Sequence, residues 1–360
     1  MIAGGGTGGH LFPGIAVAEA LRRRDPAAVV LFVGSARGIE ARVLPDTGFA
    51  LATLPIAPLR GRGSRDQLTA LAGLARSVHR ARALVGQFAP DAIVGLGGYA
   101  SAPAVVAGRM AGTPIVLLEQ NARPGLTTRL LARLADRVCV SFPESGAQFA
   151  PGKAVVTGNP VRWSAAAPAG AEVRAGFTLL VFGGSAGART LNEAGPELAA
   201  ALADVPGLRL IHQTGAAAEA AVRAAYAAAG LDADVRAFIT DMAAAYAAAD
   251  LVICRAGATT IAELAALGKP AILVPYRYAA DDHQRANAES LVRAGAARML
   301  LDTDATGERL AAEVRALQAP AARAEMAARM RALARPDAAE RVLETVDELI
   351  RRRRAGAGGA

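Results

Sequence analysis

Aromatic residues make up only 4% of this 360-residue sequence, and cysteine occurs twice. Two cysteines exclude a disulfide-stapled scaffold and a cysteine-cluster metal site. Cys139 and Cys254 each close a strand-like apolar run, which reads as a buried, reduced thiol of a cytoplasmic protein. The four histidines, His10, His79, His212 and His283, are scattered and form no H-E-x-x-H pair, so chemistry without a bound metal is the expectation. No uncharged apolar run reaches the roughly 18 residues that a spanning helix needs, so membrane contact is expected from the surface only. The first residues are glycines rather than a basic region followed by an apolar one, so no signal peptide is read. Zinc-finger spacing, an RNP-like run and aromatic interleaving of basic clusters are all missing, which argues against a nucleic-acid partner. No Walker lysine follows a glycine loop.

What is present is apolar bulk, 53% of the residues, in a chain too long for one ordinary core; two domains are expected. The 40 basic and 32 acidic residues leave a formal charge of +8, which suits an anionic partner. Arginine supplies nearly all of that charge, and a compositional bias toward arginine and alanine gives the same balance.

The chain is punctuated by glycine loops set between apolar runs and helical patterns. MIAGGGTGGH opens it, followed by a helix over Leu11 to Arg24. Gly4-x-Gly6-x-x-Gly9 formally matches the dinucleotide fingerprint, but a lone match is weak. The run before it is too short for a central strand, and the next strand, Val29 to Val33, ends in Gly34-Ser35 with no acidic residue for a ribose. That short start also suggests a native chain beginning upstream of Met1. A second strand, loop and helix follow in Asp91 to Val94, GLGGYASAP and Ala102 to Gly112. The strand Ile115 to Leu118 then delivers Glu119, Gln120 and Asn121 to its C-terminal end, where polar residues line the crevice of a doubly wound sheet. Strands at Val138 to Val140 and Val155-Val156 continue the alternation, and Gly158 to Gly170 reads as a linker.

Beyond the linker the same grammar restarts. Thr178 to Phe182, GGSAGA over 183–188 and a helix over Thr190 to Leu202 repeat it, with further strands at Leu208 to His212, Val235 to Phe238, Leu251 to Cys254 and Ala271 to Val274. In the stretch after Cys254 a helix is expected from about Thr259 to Gly268, its N-terminus favouring an anion. Glu263 has two readings there: the partner of Thr260 in a capping box, or a two-oxygen acceptor for paired hydroxyls such as those of a ribose.

Two basic regions stand apart. Leu68, Leu71, Leu74 and Val78 share one helical face between Leu59 and Leu84, ringed by Arg60, Arg62, Arg65, Arg76, Arg80 and Arg82; a helix packed on a sheet and a membrane-surface helix both explain this. A terminal helix, Asp337 to Arg354, carries Val342, Thr345, Val346 and Leu349 on one side and is expected to return to the first domain, with Arg351 to Arg354 and the tail disordered.

Two doubly wound domains would gather these loops around one cleft, with room for two phosphorylated ligands. The chemistry that fits is transfer of a group from a nucleotide diphosphate to a hydroxyl, with one side chain as base and helix dipoles on the leaving pyrophosphate.

GGGTGGHLFPGIAVAEAL, GLGGYASAP, LLEQNARPGLTTRLLA, GNPVR, GGSAGARTLN, FITDMAAAYAAADLVICRAGATTIAEL and the DDHQRANA segment together resemble the MurG-type N-acetylglucosaminyltransferases of bacterial cell-wall synthesis. The resemblance runs from the first glycine loop to the C-terminal helix. It implies a GT-B fold, two Rossmann-like domains facing a central cleft, with residues 1–160 and a returning helix 336–354 on the acceptor and membrane side, 161–335 on the UDP-GlcNAc side and 355–360 as a flexible tail. It implies inverting, metal-independent transfer of GlcNAc to the 4-hydroxyl of MurNAc in undecaprenyl-pyrophosphoryl-MurNAc-pentapeptide, lipid I becoming lipid II, without a cofactor. The location implied is peripheral, on the cytoplasmic face of the membrane, against an anionic lipid surface and among cell-wall synthesis proteins. That setting favours the Leu68/Leu71/Leu74 face as a docking surface.

Carried over by motif, Thr7, Gly8 and Gly9 lie at the cleft, and Asn121 and Gln284 meet the sugar. Arg162, Ser185, Ile239 and the run Ala258, Thr259, Thr260, Ile261, Ala262 and Glu263 belong to the nucleotide, Ile239 near uracil and Glu263 on the ribose. Gly97, Gly98, Tyr99 and Asn192 match further functional positions. His10 is the candidate base, kept neutral by a helix N-terminus, and Glu119 is its rival. An extra residue between Pro275 and Gln284 departs from the family pattern and bears on the register of His283 and Gln284. Related readings are another GT-B enzyme, the similarly folded UDP-GlcNAc 2-epimerase, and a non-catalytic UDP-sugar-binding scaffold.

Overall fold

The structure, a computed structural model, describes residues 1–36, 38–56, 64–162, 176–184 and 186–357, with the side chains of 64–72 and 357 left out. Ser185, the linker from 163 to Gly170, Arg60, Arg62 and the side chains of Arg65, Leu68 and Leu71 therefore lie outside the described residues. The chain divides into two compact units, Met1–Arg162 with Arg335–Ala360, and Trp163–Ala334.

Unit 1 is built on seven parallel strands: β1 Ile2–Ala3, β2 Leu31–Ser35, β3 Ala50–Leu54, β4 Ile93–Gly95, β5 Ile115–Glu119, β6 Arg137–Val140 and β7 Ala154–Val156. Their order is β3-β2-β1-β4-β5-β6-β7. Successive residues of a strand point to opposite faces, and the core divides accordingly. Ile2, Phe32, Val94, Val116 and Leu118 join Leu11 and Ile15 of the helix Gly8–Arg24 and Val342, Leu343, Val346 and Leu349 of the C-terminal helix. Ala3, Val33, Ile93, Ile115 and Leu117 join Ala81 and Val85 of the helix Ser64–Phe88 and Ala104 and Val105 of the helix Gly98–Met110. With both faces covered, β5 is buried along its whole length, which is why its sequence is a run of apolar residues and not an alternation.

Several elements differ from the sequence reading. The clipped first strand keeps two residues yet occupies a central place, paired with both β2 and β4. Strand β3, at the sheet edge, escaped the apolar count. The C-terminal helix runs from Ala338 to Ala357, so Arg351 to Arg354 are helical rather than disordered. Arginine propagates a helix well, and Arg352 pairs with Glu348 one turn back while Arg354 reaches Asp91 at 3.0 Å. In the helix Ser64–Phe88, Ser77, Ala81 and Val85 are buried, Leu74 and Val78 half-buried, and Arg76, Arg80 and Arg82 exposed. The described turns of this helix thus pack one side on the sheet and leave Arg76, Arg80 and Arg82 on the other.

Unit 2 repeats the plan with six parallel strands: β8 Phe177–Phe182, β9 Leu208–Gln213, β10 Asp234–Arg236, β11 Leu251–Cys254, β12 Ala271–Leu273 and β13 Arg298–Met299, ordered β10-β9-β8-β11-β12-β13. In both sheets the first strand sits inside, and the winding reverses beside it. The crevice of such a sheet opens beyond the strand C-termini at that reversal, between β1 and β4 in unit 1 and between β8 and β11 in unit 2. No helix among the described residues is long and apolar enough to cross a membrane. Both cysteines are buried and free, and burial pushes the Cys139 thiol up to about 12.

Candidate functional site

At the unit 1 reversal, the loops after β1 and β4 meet around His10. The chain leaves β1 through Gly4, Gly5 and Gly6, all at positive φ, and enters the helix at Gly8, with Thr7 as N-cap. His10 lies in the first turn, and its Nδ1 is 2.9 Å from Thr7 Oγ1. Gly97, at φ +82°, brings the second loop against the imidazole; a Cβ there would stand 3.3 Å from both His10 Cδ2 and Thr128 Oγ1. Gly98 begins the next helix, earlier than the expected Ala102, and the hydroxyl of Tyr99 faces Gly6. Thr7, Gly8, Gly9, His10, Gly97, Gly98 and Tyr99 are thereby gathered at one crevice.

Glu119 closes β5 beside them, and its carboxylate is occupied by the loop that follows. Oε1 accepts from the backbone and side-chain amides of Asn121 at 3.0 and 3.3 Å, and Oε2 from Gly125 N at 3.2 Å. Thr128 adds a side-chain hydrogen bond. Burial raises the Glu119 pKa, against these donors, which favour the charged form. The arrangement suits a residue that shapes the Asn121 loop. Arg162, at the end of unit 1, pairs with Glu19 of the first helix at 3.1 Å.

Sequence reading missed Glu40. This wholly buried carboxylate accepts from Gly6 N at 2.8 Å through Oε2, and from Ser35 N at 2.7 Å and Ser35 Oγ at 3.0 Å through Oε1. A Cβ on Gly5 would overlap it. Part of the glycine content of GGGTGG is therefore imposed by a carboxylate of the protein itself. The acid sought directly after the second strand stands five residues beyond Ser35, in a short helix Glu40–Val43.

In unit 2 the helix Arg189–Ala201 follows the third glycine loop, and Asn192 Nδ2 donates to Thr214 O at 3.0 Å. Gln213, at the end of β9, also went unnoticed; its Nε2 reaches Gly184 O at 2.9 Å and Ala237 O at 3.2 Å, tying together the loops of both flanking strands. Ile239 is buried just beyond. After β11, Arg255 is held by Val274 O at 3.1 Å and by Asp302 at 2.5 Å, and Asn287 Nδ2 donates to Ala256 O at 3.1 Å.

The helix beyond begins at Ala258 with Gly257 as N-cap and no side-chain cap. Thr260 is inside it, so the capping box with Glu263 does not form. Glu263 Oε2 accepts instead from Tyr246 OH at 3.0 Å, and burial pushes the Glu263 carboxyl up to about 7. Ala258 and Ile261 are buried, while Thr259, Thr260 and Ala262 are half-buried in the first turns. Gln284, early in the helix His283–Arg293, accepts from Tyr276 N at 3.0 Å through Oε1. Just before that helix, Asp281 and Asp282 both stand at φ +54°. Among the described residues no three His, Cys, Asp or Glu side chains converge as a metal site would require.

Comparison with known proteins bears on the same loops. Residues 1–140 match the N-terminal domain of glycosyltransferase family 28, and residues 178–342 its C-terminal domain. A relative from Geobacter sp. (strain M21), named UDP-N-acetylglucosamine--N-acetylmuramyl-(pentapeptide) pyrophosphoryl-undecaprenol N-acetylglucosamine transferase, is 49% identical over 348 residues, 95% of this chain and 94% of its own. The crystal structure of Acinetobacter baumannii MurG, 34% identical, superposes with a TM-score of 0.79 over 97% of this chain and 98% of its own. A UDP-GlcNAc 2-epimerase from Neisseria meningitidis, 14% identical with a TM-score of 0.67 over 94% and 97% of the two chains, shares the fold alone. Two doubly wound units, both halves of the family pattern and a MurG-type relative along nearly the whole length identify the fold as GT-B and this chain as a member of glycosyltransferase family 28.

Proposed function

We propose that the protein transfers GlcNAc from UDP-GlcNAc to the 4-hydroxyl of MurNAc in lipid I, with inversion, giving lipid II. The observation that carries this reading is the 49% identity over 95% of the chain to a transferase named for that reaction. The loop geometry supports it, because the glycine loops, the stretch from Glu119 to Asn121 and the turn before Ala258 all lie at or just after strand C-terminal ends, each in its own unit. Unit 1 takes the acceptor, with His10 as general base: as the 4-oxygen bonds to the anomeric carbon and the bond from that carbon to the UDP oxygen breaks, the imidazole receives the hydroxyl proton. Glu119 positions Asn121. Unit 2 takes the nucleotide, with the first turn of the helix Ala258–Leu267 toward the pyrophosphate, Ile239 near uracil and Glu263 on the ribose hydroxyls. Arg162, Asn192 and Gln284 complete the substrate contacts.

UDP release, measured with UDP-GlcNAc and a lipid I analogue together and with either alone, tests the activity. Release is expected only with both, and H10A should lower kcat by about 10²- to 10⁴-fold while leaving acceptor binding. Binding of UDP-GlcNAc with no UDP released on addition of acceptor would support the scaffold reading instead; turnover by H10A near the wild-type rate would remove His10 as base.

The same reading places the protein peripherally at the cytoplasmic leaflet. Support comes from unit 1, where Leu126, Leu130 and Phe149 line a groove of about 460 Å³ together with Arg129, Arg133 and Lys153. Leu126 and Leu130 are half exposed. Cosedimentation with anionic vesicles tests this.

A further inference from the structure

We propose that Tyr246 is a positioning residue of the nucleotide site, its hydroxyl fixing one oxygen of the Glu263 carboxylate so that the other presents to the ribose hydroxyls. This rests on the ribose role given to Glu263 above. Tyr246 lies on the helix Met242–Ala248, whose N-terminus is fixed by Asp241 accepting from Ala244 N at 2.9 Å. The side chain is fully buried, and its ring packs edge-on against Phe182, centroids 5.9 Å apart, at the end of β8 where the third glycine loop begins. A buried phenol needs a partner for its hydroxyl, and here that partner is Glu263 Oε2 at 3.0 Å. Phenylalanine would fill the same space and leave the carboxylate unheld.

A carboxylate held at one oxygen has lost a rotation that an unheld one must surrender on binding a diol. It also keeps its charge more readily, since a hydrogen bond donated to the ionised form favours that form. Burial works the other way and dominates, bringing the Glu263 carboxyl to about 7. The ionisable neighbours are Cys254 on β11, whose thiol is raised by burial and then by Glu263, and Arg255, which is paired with Asp302. Lys269 and Arg331 lie beyond the C-terminal end of the Glu263 helix, and His283 on the neighbouring helix is engaged with Ala280 O.

The sign follows directly. The nucleotide binds the ionised carboxylate, so affinity for UDP-GlcNAc falls as pH drops through the Glu263 pKa. Removing the Tyr246 hydroxyl removes a donor that lowers that pKa, so the acid limb moves to higher pH. The test is calorimetric binding of UDP-GlcNAc to wild type, Y246F and E263Q across the range of about pH 5.5 to 9. For Y246F the limb is expected to move up by about one pH unit, which weakens binding about fivefold at pH 7 and leaves a smaller loss at high pH, where only the freed rotation of the carboxylate counts. For E263Q the limb should be gone and the affinity low throughout.

A Y246F limb superimposable on wild type, with E263Q still lacking it, overturns the positioning role and leaves Glu263 on the ribose. An E263Q profile identical to wild type overturns the ribose reading itself, and the proposal with it. An equal loss for Y246F at every pH marks a merely structural residue. Should Y246F fold poorly, the 2′-deoxyribose analogue of UDP-GlcNAc binding to wild type gives the second measurement: its acid limb should be shallower, and a limb of full depth overturns the ribose reading and the proposal with it.

Discussion

Glu40 shows how one side chain can decide what a loop is for. Its carboxylate is buried under the first glycine loop and takes the Gly6 N–H, so that donor is turned inward to the protein instead of outward to a ligand phosphate. The remaining geometry, Thr7 as N-cap and His10 within the first helical turn, is built on this fixed base. In E40Q the amide retains one acceptor oxygen but sets its NH₂ against either Gly6 N–H or the Ser35 donors. A hydrogen bond lost from a buried group and a donor left unpaired cost about 1 to 3 kcal/mol. E40Q is therefore expected to unfold at lower urea concentration and to lose kcat with little change in KM for UDP-GlcNAc, which the proposed function assigns to the other unit. Steady-state kinetics beside urea unfolding checks this. An E40Q enzyme with wild-type kcat would show that the loop holds its shape without the charge.

Among the elements, β9 carries both a site tie and a buried titratable pair. Gln213 at its end joins the Gly184 and Ala237 loops, and one residue earlier His212 Nδ1 lies 2.9 Å from Tyr226 OH of the helix Glu219–Ala228. Desolvation lowers the His212 pKa from about 6.5 to about 4. The unfolded chain therefore binds the extra proton between those values, and stability is full above the unfolded pKa and is lost as pH falls toward the folded one. The shift amounts to about 3 kcal/mol once pH is below both. Hydrogen exchange of peptides from β9 should accelerate as pH is lowered from about 7 to 5, after correction for the intrinsic rate. H212Q should flatten that dependence; an unchanged slope would place the acid sensitivity elsewhere.

At this scale, too, lies the boundary of what could be read from the chain. Strands β5, β8 and β11 were legible because both of their faces are buried and their sequences are unbroken apolar runs. Strand β3 at the edge is half exposed and its run is diluted by alanine, and the two-residue β13 carries no run at all. The positions of Gly97, His10 and Glu263 followed from motifs at strand ends. The partners Glu40, Gln213 and Tyr246 did not, because each acts across a sequence gap that only the fold closes, and a lone Glu, Gln or Tyr has no local periodicity to betray it. The capping box at Thr260 failed for a related reason: the helix starts at Ala258, and a carboxylate with a buried phenol at 3.0 Å has a better partner than a backbone amide.

Taken as a whole, the molecule carries a formal charge of +8, no described helix is long and apolar enough to span a bilayer, and the proposed docking to a lipid-bound acceptor draws on its surface. Charge alone gives a diffuse attraction that salt screens over about 10 Å at moderate ionic strength. Unit 1 adds something local: Leu126 and Leu130 stand exposed beside Arg129 and Arg133, so apolar contact and attraction to anionic headgroups fall on one patch. A juxtamembrane arginine contributes about 1 kcal/mol at an anionic surface. Reversing two of them should then weaken binding to phosphatidylglycerol vesicles by at least about 2 kcal/mol, roughly thirtyfold in the partition constant. R129E/R133E is expected to show that loss, and R76E/R80E on the exposed side of the helix Ser64–Phe88 a loss as well, while neutral vesicles distinguish neither from wild type. Turnover of a water-soluble acceptor analogue should stay near wild type in both, because the proposed function gives neither pair a role in binding or catalysis. If vesicle binding is unchanged in both double variants, the patch is not the docking surface. If soluble turnover falls in parallel, the arginines serve the acceptor itself and not the bilayer that carries it.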